Sequence, residues 1–179
     1  MRITPQEIID FWTITVGENR WYAVEPALDD VIRTRYESLW RDARSGGLAA
    51  WERTPDGVLA LLIVLDQFPR NMFRSKADAF ASDAQAREVA SRAIARGYDM
   101  QVEPPIRQFF YTPFEHSENM DDQDRSVALF TKGMGVDHYT HPFILDHRAQ
   151  IARFGRFPSR NNALGRPSTV EEQDYLSRK

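Results

Sequence analysis

Residues 54–74 read TPDGVLALLIVLDQFPRNMFR, and the way this stretch folds decides the architecture of the chain. The eight apolar residues Val58 to Leu65 leave no polar side for water, so as a helix the run is the buried kind, apolar all round, against which other helices pack. The run alone also suits a buried strand, because periodicity does not separate the two at this length. Thr54-Pro55 ahead of it, a capping Thr with Pro at the first helical position, favours helix. Asp66, Gln67, Arg70 and Asn71 then bring polar chemistry to its inner end. A carboxylate carried into a core requires an ionic or hydrogen-bonding partner, because an unpaired one costs several kcal/mol. Pro69 is read as the end of the helix. Since it breaks the helical path to Arg70, the partner of Asp66 is expected from residues 153–160 or from Arg125.

Outward from this stretch the pattern stays helical. Thr4-Pro5-Gln6-Glu7 carries a cap, a first-turn Pro and a Glu three residues after the cap, so a first helix is expected over about 5–15. Leu28, Val31, Ile32, Tyr36, Leu39 and Trp40 recur at helical spacing after Pro26, and Gly46-Gly47 ends that helix. Further helices are expected over 83–96, 121–132 and 142–154. Thr112-Pro113-Phe114-Glu115 reads as another capping box, with Thr112 as the cap, and Ser168 with Glu171 as the start of a last short helix. No segment alternates with period two, so the fold class is all-α, one domain over residues 1–179.

Composition narrows the function classes. The apolar fraction of 42% is enough for one sizeable core, and four Trp, six Tyr and eleven Phe should dominate its contacts. Lys plus Arg number 23 against 26 Asp plus Glu, a net charge of −3 that points to neither nucleic acid nor a membrane surface. The chain has no cysteine, which removes thiolate ligands and a cysteine nucleophile. MRITPQEIIDFW has no continuous apolar signal region, and no segment approaches the roughly 20 apolar residues of a membrane helix. The expected location is the cytoplasm.

One internal echo stands out. Gln67-Phe68-Pro69-Arg70-Asn71 and Arg156-Phe157-Pro158-Ser159-Arg160-Asn161 both place Phe-Pro and then Arg-Asn after an apolar helix, although the match is too short to define a repeat. Four longer blocks carry a family resemblance: LLIVLDQFPRNMFR with Ala79-Phe80 beyond it, FFYTPFEHSE, DQDRSVALF, and HRAQIARFGRFPSRNNALGRPST. Together they resemble the bacterial domain-of-unknown-function family 924 over nearly the whole chain. The resemblance implies a tetratricopeptide-like fold of antiparallel helix pairs and no established activity. The tetratricopeptide signature itself is not readable in the residues.

Candidate chemistry lies in the polar residues of these blocks. His147 falls on the stripe of Phe143, Ile144, Ile151 and Phe154 and is expected to face the core, as a hydrogen-bonded structural histidine or as a general base. His116 is the second candidate base. Adjacent helical residues point apart, so Ser117 and His116 do not form a local nucleophile and base, and Glu115 is explained by the capping box. His138 and His141 are the nearest metal-like pair, but no established ligand spacing surrounds them, and neither a metal nor a cofactor is expected. Arg70, Arg74, Arg125, Arg153, Arg156 and Arg160 suit bidentate capture of a carboxylate or phosphate, or else they satisfy nearby carboxylates and helix ends.

The leading expectation is therefore a cytoplasmic domain binding a small anionic molecule or peptide carboxylate. Its pocket would draw on Asp66, Arg70, Asn71, His116, Glu118, Arg125, His147, Arg156, Arg160 and Asn161, and would border a cavity of roughly 300 Å³ or more. The second is an enzyme with His147 or His116 as base, Arg160 or Arg70 holding an acidic substrate, and Asp66 orienting a ring nitrogen. An interaction scaffold is the third.

Overall fold

The computed structural model describes residues 3–178, and among them there is no β-strand. The helices are α1 (Pro5–Asp10), α2 (Pro26–Arg44), α3 (Pro55–Leu62), α4 (Phe68–Met72), α5 (Asp83–Ala95), α6 (Thr112–Glu115), α7 (Met120–Met134), α8 (His141–Phe154) and α9 (Val170–Ser177). Thr4 and Thr54 cap α1 and α3 as expected, accepting from Glu7 N and Gly57 N. Glu7 returns the bond to Thr4 N at 2.7 Å, closing the box.

Residues 55–72 form the central rod. Val58 to Leu65 are each at most 3% exposed, and α1, α2 and α5 pack around them. Contrary to expectation, Pro69 does not end the helix. A π-turn over Ile63–Gln67 joins α3 directly to α4, so the path runs unbroken over 55–72. Proline removes a donor, and the carbonyl four residues before it loses its partner. That carbonyl, Leu65 O, accepts instead from Ser82 Oγ at 2.5 Å, and Ser82 Oγ accepts from Trp40 Nε1 at 2.9 Å. A side chain from the start of α5 thus carries the helix past its proline.

Aromatic rings fill the space around the rod, as the composition suggests. Phe68 stacks on Tyr36 with centroids 4.9 Å apart and meets Phe11 and Trp12 edge-on, while Phe109 sits against Trp12 and Trp21. These contacts tie α1, α2 and the loop after α1 to one face of the rod. They also hold the short turn Ile106–Phe110 that leads into α6.

Three sequence assignments move. Thr112 is the first residue of α6 and not its cap. Its hydroxyl donates to Asp66 Oδ2 at 3.2 Å, which turns its side chain to the buried carboxylate and away from the helix N–H groups that a capping oxygen would accept from. Glu115 is accordingly free of any capping box. The last helix begins one residue later than expected, with Thr169 and Glu172 forming its box. On α8, Ile144 and Ile151 are buried but Phe143 is 63% exposed, so the stripe carrying His147 runs along the edge of the core and not into it.

Candidate functional site

Asp66 sits in the π-turn with no solvent exposure. Its carboxylate takes His116 Nδ1 at 2.8 Å, Gln67 Nε2 at 2.6 Å, Thr112 Oγ1 at 3.2 Å and Arg70 Nη1 at 3.3 Å. Burial opposes ionisation, but the charge of Arg70 and the His116 contact outweigh it and hold the carboxyl well below its ordinary range. The arginine partner is therefore Arg70, one turn on, and not Arg125 or a residue of the 153–160 block. The continuous helix that Pro69 fails to break makes this possible.

Arg70 extends the network. It forks onto Asp83 at the start of α5, with bonds of 2.9 and 3.0 Å. Arg160 reaches the same carboxylate from the other side, Nη1 to Oδ2 at 3.5 Å. The two Phe-Pro echoes thus deliver their arginines to one acid. Arg160 is otherwise enclosed by rings, 4.4 Å from the Phe157 centroid and 4.6 Å from Phe80. Burial, together with repulsion from Arg70, pushes its pKa down to about 10.

A second imidazole has a parallel arrangement. His147 on α8 places Nδ1 2.7 Å from Glu115 Oε1, an ion-pair distance without the alignment of a straight hydrogen bond, and its ring meets Phe157 edge-on at 5.3 Å. Glu115 and His116 are neighbours in sequence, yet they divide between the two pairs: one is the carboxylate for His147, the other the imidazole for Asp66. With Nδ1 bonded to the Asp66 carboxylate, a neutral His116 carries its proton there, which leaves its Nε2 as an acceptor.

Both histidines line one cavity of about 220 Å³, walled by Tyr22, Tyr139 and Phe143, with Glu115 and Thr140 also on its surface. Tyr22 is fixed by a 2.7 Å bond from its hydroxyl to Gln108 Oε1. Two further compartments share its histidines. Beyond His116 lies one of about 170 Å³ with Arg70 and Arg74 on its wall. Beyond His147 lies one of about 220 Å³ with Gln150, Ser159 and Arg160. Cavities bordered by a histidine and an arginine therefore exist, but each is smaller than the expected 300 Å³, because the arginines fold back onto carboxylates and fill the space. A larger hollow of about 580 Å³ between Glu18, Asn19 and the rims Tyr22 and Tyr139 is open to solvent and contains no imidazole or guanidinium.

The remaining candidates are spent elsewhere. Arg125 lies over the Phe114 ring at 4.2 Å and bonds Ser91, away from both histidines. Asn71 joins Arg74 on Asp29, which fastens α4 to the start of α2. Glu118 takes a fork from Arg166 and the amide of Phe157. Burial raises its pKa, and those bonds lower it further than burial raises it. Arg156 forks onto Glu172, and Asn161 accepts from Arg166 and donates to Glu172, so this group binds the C-terminal segment down. Among the described residues no three His, Asp or Glu side chains converge as metal ligands. Sequence reasoning missed Asp83 and Glu115, each assigned to a helix start, and the cavity walls Tyr22, Tyr139, Thr140 and Phe143. The one available signal was Glu115 standing beside His116.

Among known proteins, residues 8–179 match a family model described as bacterial protein of unknown function (DUF924). The chain is similar to the solved structure of the protein of unknown function ATU0120 from Agrobacterium tumefaciens. The two are 36% identical, with a TM-score of 0.92, and the match covers 98% of this chain and 97% of that one. No curated protein matches.

Proposed function

We propose, for a chain that belongs to the DUF924 family of bacterial proteins of unknown function and so takes no activity from its kin, that it is an enzyme moving protons on a small acidic molecule. His116 and His147 are its acid–base pair. One observation carries the reading: each imidazole has Nδ1 against a carboxylate of its own, and both line the same cavity. A histidine whose Nδ1 faces a carboxylate acts as a base at Nε2 when neutral and as an acid there when protonated. One ring takes a proton from the substrate while the other returns one, and solvent resets the pair through His147, whose side chain is 32% exposed. Nothing in the step is oxidised or reduced. Among the sequence-derived alternatives this favours the enzyme over the arginine-lined binding pocket, since Arg70 is committed to Asp66 and Asp83.

A test uses deuterium. The protein is incubated in heavy water with a panel of small 2-oxo, 2-hydroxy and unsaturated carboxylic acids, and proton NMR follows exchange of carbon-bound hydrogen. Exchange by the wild type should fall by roughly 10²-fold or more in both His116→Asn and His147→Asn, the usual contribution of a positioned acid or base. Equal rates in all three proteins would overturn the assignment. Saturable binding without exchange would leave a site that binds a small anion and does no chemistry, the leading expectation from the sequence.

The finer description of the chain belongs to the same reading. We take it as a single cytoplasmic domain of tetratricopeptide-like helix pairs. The packing of the consecutive helices α7 and α8 supports the pairing, and composition alone supports the location.

A further inference from the structure

Among the described residues, Arg160 is a largely buried cation with few polar partners. Its side chain is 13% exposed, yet among the described residues its one polar contact is the 3.5 Å approach to Asp83. That acid already accepts two shorter bonds from Arg70. A guanidinium carries five donors in a planar fork, and none of the Arg160 nitrogens is both sealed from solvent and unpartnered, so its unused donors stay open to a ligand. The pKa of Arg160, pushed down to about 10 by burial and by Arg70, is in keeping with a poorly compensated charge. The guanidinium packs on the Phe157 and Phe80 rings, its Cζ 4.4 and 4.6 Å from their centroids, and Arg160 lines the compartment beyond His147.

We infer that Arg160 anchors a carboxylate group of a small ligand, in the compartment that it shares with His147, Gln150 and Ser159. A planar guanidinium fork matches the two coplanar oxygens of a carboxylate. A phosphate dianion fits less well. The carboxylates of Asp83, Glu118 and Asp66 act on Arg160 from nearby and repel a second negative charge more than a first. The inference rests on the proposed acid–base site in one respect: the anchored group is the acid end of a ligand whose body reaches past the His147 ring. The anchor itself is testable without any turnover.

Sodium acetate and sodium benzoate serve as probes, with benzamide as the neutral counterpart and inorganic phosphate as the dianion. In protein with labelled arginine and histidine, the Arg160 Nε–Hε and His147 ring resonances are followed by NMR through each titration. Acetate and benzoate should shift both saturably, and benzamide and phosphate should not. Arg160→Met, which keeps the apolar stem between the two rings, should weaken benzoate binding by roughly 10- to 100-fold, the loss of one or two charge-assisted bonds. His116→Asn should bind benzoate as the wild type does even where it has lost deuterium exchange, which separates failure of the anchor from failure of the acid–base pair. An Arg160 resonance unmoved by either carboxylate would overturn the inference. So would tighter binding of phosphate, or wild-type affinity in Arg160→Met. Should that variant not fold, the wild-type titrations decide alone.

Discussion

Asp66 shows how one buried acid can serve structure and chemistry together. Four side chains converge on it, and two of them, Arg70 and His116, carry or can carry positive charge. Removing its charge strands Arg70 beside a neutral amide and takes away the group that fixes the His116 tautomer. Asp66→Asn should therefore destabilise the protein by about 3–5 kcal/mol, the cost of breaking a buried pair from one side. Urea unfolding reads this directly. A loss under 1 kcal/mol would mean that Asp83 alone neutralises Arg70. The same variant should reduce any exchange activity as strongly as His116→Asn, because the ring would no longer be held.

At the scale of elements, the informative feature is the rod over 55–72, which continues through a proline. It can do so because the π-turn and the Ser82 hydroxyl together account for the carbonyl that Pro69 leaves unpaired. The continuity matters for the site. It carries Asp66 and Arg70 on one helix, four residues apart, and sets Arg70 against the start of α5, where Asp83 waits. Ser82→Ala should strip both Leu65 O and Trp40 Nε1 of their partner. At about 1–3 kcal/mol for each buried unsatisfied group, a total of roughly 2–6 kcal/mol is expected. Ser82→Thr, which restores the hydroxyl, should recover part of it. Equal stability of wild type and Ser82→Ala in urea would show that the carbonyl needs no cap.

Across the whole molecule, carboxylates with lowered pKa values fasten parts that are distant in sequence. Asp66 ties the rod to α6 and the residue after it, Glu118 ties the loop between α6 and α7 to the segment after α8, and Glu172 ties that segment to α9. The Arg166 bonds hold Glu118 low against the opposing effect of burial, and the Arg156 bonds hold Glu172 down at about 2. A group with a depressed folded pKa contributes stability above its unfolded value and loses it as pH falls toward the folded one. The unfolded values are 4.5 for the two glutamates and 3.8 for Asp66, so stability should be level in this respect above about pH 5 and fall progressively below 4.5. The glutamates lose their contribution first. Hydrogen exchange at pH 4 should therefore show α9 and residues 156–169 opening while α3 stays protected. Simultaneous loss in both regions would contradict the ordering.

The parts of this fold that were legible in the sequence are those written over a few neighbouring residues. Thr4 and Thr54 announced helix starts, the apolar run at 58–65 announced a buried rod, and Asp66 at its end announced an acid in need of a partner. Each rests on capping, periodicity or desolvation, which act within one or two helical turns. Thr112 and Pro69 were misread for a related reason: the local signal was present, but a contact from elsewhere outbid it, Asp66 in one case and Ser82 in the other. The site was less legible still. His116 and His147 were named as candidates, yet nothing in their spacing shows that they share a cavity or that Glu115 serves one and Asp66 the other. His116 and Asp66 are 50 residues apart in sequence. By itself, the sequence determined which helices form, which one is central and which acid had to be paired. Only the tertiary structure decided which arginine pairs it, which rings enclose Arg160 and which histidines face one cavity, because such contacts depend on how helices pack, and packing leaves no periodic trace in the chain.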